Sequence, residues 1–558
     1  MRFDHAVSRA RLGQGLLASA LLLVAASTTQ REATPALSYL VQASSYEVAA
    51  AAVRGANGRV THELPIIEAV AADLTREQLG RLRQDTHLKI TADRTTHVSG
   101  AGPAREVQPY VVERTGASLL HAQGITGKGV TIAFLDTGWW SQHATQTNTA
   151  GRDVVLQGYD AIGNTVGVGA PSDQYGHGTH VLSIAVNSAH AEDGTYIGMA
   201  PDAARVIVRA FDRTGAGTYA NTIRGINWIL QNAKTYNIRV VNMSFGSPPQ
   251  GYYWQDPLAQ AVMKLWQAGI VVVSAAGNEG PAAQTIDVPG NVPYVITVGA
   301  SSDNYTTTVA GDDFLASFSS TGPTFEGFVK PELVAPGGHV IAVMQSSSSI
   351  ARAHPSFLGT NGYLGSSYFY MSGTSMSAAV VSGAVALMLQ ADPTLTPDEV
   401  KCRLMSSAHP ALTSAGTLAY TIFQQGSGEL NVYDAVYSQA SGCANAGLSI
   451  AADLAGTEHF GGPANESTDG TFYIMNMQSP FSGQADLSDG YTRSGNAWSK
   501  GYMWSKGYMW SKGYMWSKAY MWSKAYTWSS GYMWSKSITS GAASPTSPAS
   551  IASWVSQE

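Results

Sequence analysis

Tyr370-Met371-Ser372-Gly373-Thr374-Ser375-Met376-Ser377-Ala378-Ala379 joins an apolar run to a helix, and the rest of the chain can be arranged around it. Past Ser375, the residues Val380, Val381, Gly383, Ala384, Leu387 and Met388 recur at helical spacing with almost nothing polar among them. That pattern predicts a buried helix. A serine in its first turn lies where unpaired backbone N–H groups and the positive end of the helix dipole favour a developing negative charge. Gly373 lets the backbone turn tightly and approach a ligand. The competing interpretation is a plain serine N-cap on a core helix. Two distant stretches decide between them, because they supply the acid and base that a nucleophilic serine needs.

Residues 129–135, GVTIAFL, form a continuous apolar run ending on Asp136-Thr137-Gly138. Such a run predicts a buried parallel strand with Asp136 at its carboxyl end, where open α/β sheets place their sites. Alone, a strand-ending Asp is a common turn residue. Tyr175-Gly176-His177-Gly178-Thr179-His180-Val181 then leads into Leu182, Ile184, Ala185 and Val186. Glycine on both sides would leave the His177 ring exposed to a cleft at a helix entrance. His180, one turn later, reads as a structural residue; a metal shared by the two histidines is the alternative, and no third ligand lies nearby in the sequence.

Apolar strands at 205–210, 239–243, 270–275 and 295–299 alternate with helical periodicity at 218–236 and 257–268. This spacing predicts right-handed βαβ crossovers and an α/β fold with a doubly wound, mainly parallel sheet. Two strand ends carry chemistry. Ser244-Phe245-Gly246 leaves an edge against which an extended peptide can pair. Ala275-Ala276-Gly277-Asn278-Glu279-Gly280 holds an amide able to donate a hydrogen bond to an oxyanion.

Asp136, His177 and Ser375, in that chain order and with Asn278 between the last two, resemble the subtilisin-like serine peptidases. Phe318-Ser319-Ser320 and residues 330–337, KPELVAPG, also look like that family, and the likeness spans roughly residues 124–436. It implies that Ser375 attacks the scissile carbonyl, His177 acts as general base and Asp136 orients the imidazole. It further implies that Asn278 and the Ser375 N–H bind the oxyanion. Ser244, Phe245, Gly246, Ala275, Ala276 and Gly277 would then wall the pocket for the residue before the cut. Small walls leave room there for a large side chain. Glu279 nearby would favour a basic one, although a solvated Glu is the plainer interpretation. No cofactor is needed for the chemistry. Members of the family often bind structural calcium, but Asp303, Asp312 and Asp313 are only loop carboxylates and no spacing identifies a metal site. Two departures stand out: Ala379 where many relatives have proline, and the bulky Trp139-Trp140 after the Asp turn, which would narrow the cleft.

The N-terminus carries Arg2, Arg9 and Arg11, then an apolar run over 15–26 ending in Ala25-Ala26-Ser27, the pattern of an export leader at 1–27. About twelve apolar residues are too few to span a bilayer, and no later run reads as long enough. Residues 28–104 read as a small separate α+β unit of βαββαβ order, the ferredoxin-like arrangement. Ser44 with Glu47, and Thr75 with Gln78, serve as helix caps in it. By the resemblance this unit is an inhibitory propeptide that is cut away on maturation. Residues 95–105 read as an exposed linker, and 105–443 as the catalytic domain.

Thr396-Pro397-Asp398-Glu399 predicts a capped helix carrying Cys402, and 429–436 reads as the last helix, with Cys443 just beyond. In an exported protein the chain's two cysteines would pair; two free buried thiols are the alternative. From Ala444 the composition shifts to Gly, Ala, Ser and Asn, taken as a linker or small extension over 444–490. Over 491–536, Trp498, Trp504, Trp510, Trp516, Trp522, Trp528 and Trp534 recur at every sixth residue, with Tyr and Lys in step. That period scatters around an α-helix but stays on one face of an extended strand, and it stays aligned in a helix of three residues per turn as well. A disordered tail, a strip for polysaccharide or cell surfaces, and a small stacked β structure all suit it. Residues 537–558 are Ser/Ala/Pro-rich and read as disordered.

A net charge of −6 argues against a general nucleic-acid binder. The expectation is a secreted serine endopeptidase acting on proteins, held by its own propeptide, with no membrane span in the mature chain. A surface-adhesive protein that merely processes itself is the rival, and activity on casein separates the two.

Overall fold

The computed structural model describes residues 36–98, 110–306, 312–359, 368–413, 418–466 and 472–474. The leader, most of the linker, the aromatic repeat and the final tail lie outside these residues.

Thr131–Asp136, buried at every position, runs through the middle of a nine-stranded sheet. Ile238–Met243, Val271–Ala275 and Ile296–Ser302 follow on one side, and Ala204–Arg209 and Val155–Asp160 on the other. All of these pairings are parallel, as is Leu333–Pro336 on Ile296–Ser302; antiparallel pairing is confined to Phe314–Leu315 and Thr165–Val166. The chain winds one way from Thr131–Asp136 and then returns to its other side. That reversal opens a crevice at the carboxyl ends of the strands. Two helix pairs cover the sheet: His177–Val186 with Thr374–Ala391, and Tyr219–Asn232 with Pro257–Gln267. Thr374–Ala391 is apolar enough to cross a membrane, with a mean hydropathy of 1.4 over 18 residues, so one later run does reach that length; it lies buried in the core instead.

Leu37–Gln42, Arg59–Leu64, Ala69–Leu74 and Lys89–Ala92 form a second, antiparallel sheet with Ala69–Leu74 and Leu37–Gln42 at its centre. With helices Tyr46–Gly55 and Arg76–Leu82 this is the ferredoxin-like order. Thr75 and Gln78 make the expected reciprocal cap, whereas Ser45, not Ser44, caps the first helix by accepting from Val48 N. The unit is not separate. Val41, Val70 and Ala72 pack under its own helices, while Leu40, Ala69 and Ala71 on the opposite face join the main core together with Leu64, Ile66 and Ile67. A strand with both faces buried belongs to a packed interface. Polar pins complete it: Gln42 Nε2 donates to Gln260 Oε1 at 2.9 Å, and Arg94 pairs with Asp256, the cap of Pro257–Gln267.

Three further expectations are corrected. The proposed linker begins as a strand: Thr95–Val98 pairs antiparallel with both Ala216–Thr218 and Phe245–Gly246. Two edges with unpaired backbone groups supply partners that local sequence does not reveal. The last helix of the expected domain is Val432–Tyr437, capped by Asn431; Glu429 instead bridges His409 and Val334 in an extended conformation. Packing also continues past Cys443. Asp453 accepts hydrogen bonds from Tyr253 (2.9 Å) and Tyr294 (2.5 Å), and His459 stacks on Trp254 with ring centroids 4.6 Å apart. Cys402 and Cys443 are joined in a disulfide.

Candidate active site

Asp136 ends the central strand with its side chain 1% exposed. Its Oδ1 accepts from Thr137 N at 2.7 Å and lies 2.8 Å from His177 Nδ1. With a carboxylate as acceptor that nitrogen is the donor, so the imidazole presents Nε2 as its basic edge. His177 opens the helix His177–Val186 and is fully buried, not exposed to a cleft as glycine flanks suggested. Close approach of two turns explains the difference: a Cβ on Gly178 would lie 2.4 Å from Gly138 O, so the histidine turn presses directly on the aspartate turn.

What holds these turns together is Asp173, a residue that sequence reasoning missed. Its Oδ1 accepts from Thr137 Oγ1 (2.9 Å), Tyr175 N (3.1 Å) and Gly176 N (2.7 Å). Its Oδ2 accepts from Thr179 N (2.9 Å) and Thr179 Oγ1 (2.6 Å). Thr137 Oγ1 in turn accepts from Gly178 N at 2.8 Å. One buried carboxylate thus fastens the Asp136 and His177 turns. His180 is also buried; its Nε2 meets Phe369 O at 2.9 Å, and burial pushes its pKa down to about 3, as suits a structural histidine.

Ser375 lies in the first turn of Thr374–Ala391, on the helix packed against that of His177. Gly373, not Ser375, is the N-cap, so the hydroxyl is not spent on capping. Ser375 Oγ donates to Ser244 O at 3.0 Å, and Ser244 Oγ donates to Ser375 O at 2.9 Å. Behind them Ser382 Oγ donates to Asn242 Oδ1, and Asn242 Nδ2 donates to Ser244 Oγ. The sign of this chain in the sequence is a lone Asn inside the apolar run 238–243.

Asn278 is placed by its carbonyl end. Oδ1 accepts from Thr374 N (3.0 Å) and Thr374 Oγ1 (2.9 Å). Nδ2 is buried and has no hydrogen-bond partner among the described residues. A buried amide N–H left unpaired costs about 1–3 kcal/mol, so such groups are rare unless a ligand completes them. This one lies a residue away from the Ser375 N–H, through Thr374.

Ala275, Ala276 and Gly277 are buried at the end of their strand, and Ser244, Phe245 and Gly246 form the edge to which Thr95–Val98 pairs. Glu279 is exposed. Trp139 turns inward, its indole N–H donating to Thr145 Oγ1 at 3.1 Å, while Trp140 packs beside Ile341, Val343, Tyr368 and Tyr370. The three loop carboxylates have protein partners. Asp313 pairs with Arg114, Asp303 with His339, and Asp312 accepts from Thr306 Oγ1. Among the described residues no group of three or more metal-ligating side chains gathers.

Asp136, His177, Asn278 and Ser375 therefore stand on elements that meet at the carboxyl edge of an α/β sheet, the set of residues that a serine hydrolase would use. Comparison with known proteins narrows this class. The subtilase family model matches residues 127–433, more than half of the sequence, and the chain belongs to that family of subtilisin-like serine peptidases. Serine protease AprX of Bacillus subtilis (strain 168) is 40% identical over 312 residues, covering 53% of this chain and 66% of that protein. Subtilisin E of the same strain is 30% identical over 379 residues, covering 67% of this chain and 82% of that protein. Among solved structures, fervidolysin from Fervidobacterium pennivorans, described as a keratinolytic enzyme related to subtilisin, superposes with a TM-score of 0.56. That match is 22% identical and covers 73% of this chain and 62% of that one, a likeness of fold. This chain spans about two thirds of AprX and less of fervidolysin.

Proposed function

We propose that the chain is the unprocessed form of an exported serine endopeptidase that cuts itself free of residues 28 to about 104. Ser375 Oγ turns from Ser244 O towards His177 and attacks the scissile carbonyl; His177 takes the proton and returns it to the leaving amine. Asp136 keeps Nδ1 protonated and stabilises the imidazolium. Asn278 Nδ2 and the Ser375 N–H receive the oxyanion. The observation that carries this reading is the buried Asn278 Nδ2, which has no hydrogen-bond partner among the described residues, on an amide held through its Oδ1 by Thr374 beside a serine and an Asp–His pair.

The strand Thr95–Val98 supports the maturation step. It lies between Ala216–Thr218 and Phe245–Gly246 as an extended substrate would, so the chain's own segment occupies the peptide-binding edges until it is removed. Comparing intact masses of the exported wild type and Ser375→Ala tests both points. The wild type is expected to lack the leader and the N-terminal unit, and Ser375→Ala to retain the unit. Identical N-termini in the two proteins would overturn self-processing.

A further inference from the structure

The two walls of the pocket for the residue before the cut close on one carboxyl group. Asp287 N donates to Ala276 O at 3.0 Å, on the first wall. The next residue, Val288, exchanges backbone hydrogen bonds with Ser247, on the second: Ser247 N to Val288 O at 3.1 Å and Val288 N to Ser247 O at 2.8 Å. The Asp287 side chain enters the slot between them. A Cβ on Gly246 would lie 2.5 Å from Asp287 Oδ2, and a Cβ on Gly277 2.9 Å from the same atom. Only glycine on both walls leaves room for it, and Gly277 also takes a φ of +110°.

From the slot geometry we infer that Asp287 is the specificity-determining residue of this enzyme and selects a basic side chain, Lys or Arg, before the scissile bond. This rests on the endopeptidase reading above. No donor or cation among the described residues hydrogen-bonds or pairs with the Asp287 carboxyl, although the residue is only partly exposed. An enclosed carboxylate without a partner is costly, and an entering ammonium or guanidinium supplies the missing charge and donors. Burial, aided by the Glu279 carboxylate, raises the Asp287 pKa to about 8, the condition of a group that lacks its cation. Glu279, exposed at the rim, adds a second negative charge to the same entrance. In the sequence, Asp287 looks like any loop carboxylate; only the fold brings it between the glycines.

The test is kcat/KM of the processed enzyme on peptides that differ only in the residue before the cut: Arg, Lys, Leu, Phe, Ala and Ser. Wild type is expected to favour Arg and Lys over Leu and Phe by about 10- to 100-fold, the range of one charge-assisted bond. Asp287→Asn and Asp287→Gly are each expected to abolish that preference, and Asp287→Glu to keep it, which a merely structural role would not do. A wild-type preference for Ala and Ser, with Asp287→Gly admitting Phe, would make the carboxyl a plug and overturn the assignment. An unchanged ratio in Asp287→Asn would overturn it too. Either result leaves the endopeptidase reading intact provided Ser375→Ala is inert. If wild type cleaves no member of the series, the endopeptidase reading itself falls, and this one with it.

Discussion

Asp173→Asn is the most informative substitution in the positioning framework. The native carboxylate, 3% exposed, accepts five hydrogen bonds, three from backbone N–H groups and two from threonine hydroxyls. An amide keeps the shape but turns one acceptor into a donor. Placed at Oδ1, its NH2 faces two N–H groups, those of Tyr175 and Gly176; placed at Oδ2, it faces only Thr179 N. The cheaper choice orphans one buried N–H, about 1–3 kcal/mol, and weakens the remaining charge-assisted bonds, for a total of about 2–4 kcal/mol. Because the same group ties the Asp136 turn to the His177 turn, relaxation moves the base relative to its orienter. A shift of about 1 Å costs about 10²-fold in kcat. The assay is thermal unfolding of Asp173→Asn in an inert Ser375→Ala background, beside kcat and KM of Asp173→Asn alone on a peptide substrate. A lower melting temperature with a fall confined mainly to kcat is expected. Wild-type values of both would refute the claim that Asp173 fastens the two turns.

Replacing Asn278 by Ala removes the unpaired Nδ2 and is expected to lower kcat by about 10²–10³ with little change in KM, a range already measured for a subtilisin. A fall in affinity alone, seen in steady-state kinetics, would deny it the oxyanion role. Converting Cys402 and Cys443 together to Ser opens a loop with a sequence separation of 41 and is expected to cost about 3–4 kcal/mol in denaturant unfolding. Glu326 is buried, with Oε1 accepting from Tyr253 N at 2.6 Å, and burial raises its pKa to about 7 from an ordinary 4.5. Between those values the folded chain holds a proton that the unfolded chain has lost, so the contribution is full below pH 4.5 and fades as pH rises to about 7. The total is about 3 kcal/mol. Glu326→Gln in the Ser375→Ala background is therefore expected to raise the melting temperature at pH 8 but not at pH 4; an equal change at both would contradict the linkage.

The parallel sheet was legible because its strands are buried on both faces and read as unbroken apolar runs, and the capping boxes at Thr75 and Thr396 are local chemistry. Asp136, His177 and Ser375 were legible as motifs at the ends of such elements. What escaped was set by distant partners. Thr95–Val98 carries no alternation and becomes a strand only because two remote edges flank it. Asp173 and Asp287 resemble solvated loop acids until the fold encloses them. Residues 444–466, small and polar in composition, looked like the start of a linker or small extension; Asp453 and His459 anchor them on Tyr253, Tyr294 and Trp254, contacts that composition does not reveal.

The central claim, that Ser375 is a nucleophile activated by His177 and Asp136, is tested most directly by a fluorophosphonate on protein freed of its N-terminal unit, the variants being trimmed in trans by wild type, with the adduct located by peptide mass mapping. A single adduct on Ser375, lost in His177→Ala and strongly slowed in Asp136→Asn, is the predicted result. No adduct, or labelling of Ser375 that survives His177→Ala at the same rate, would contradict it.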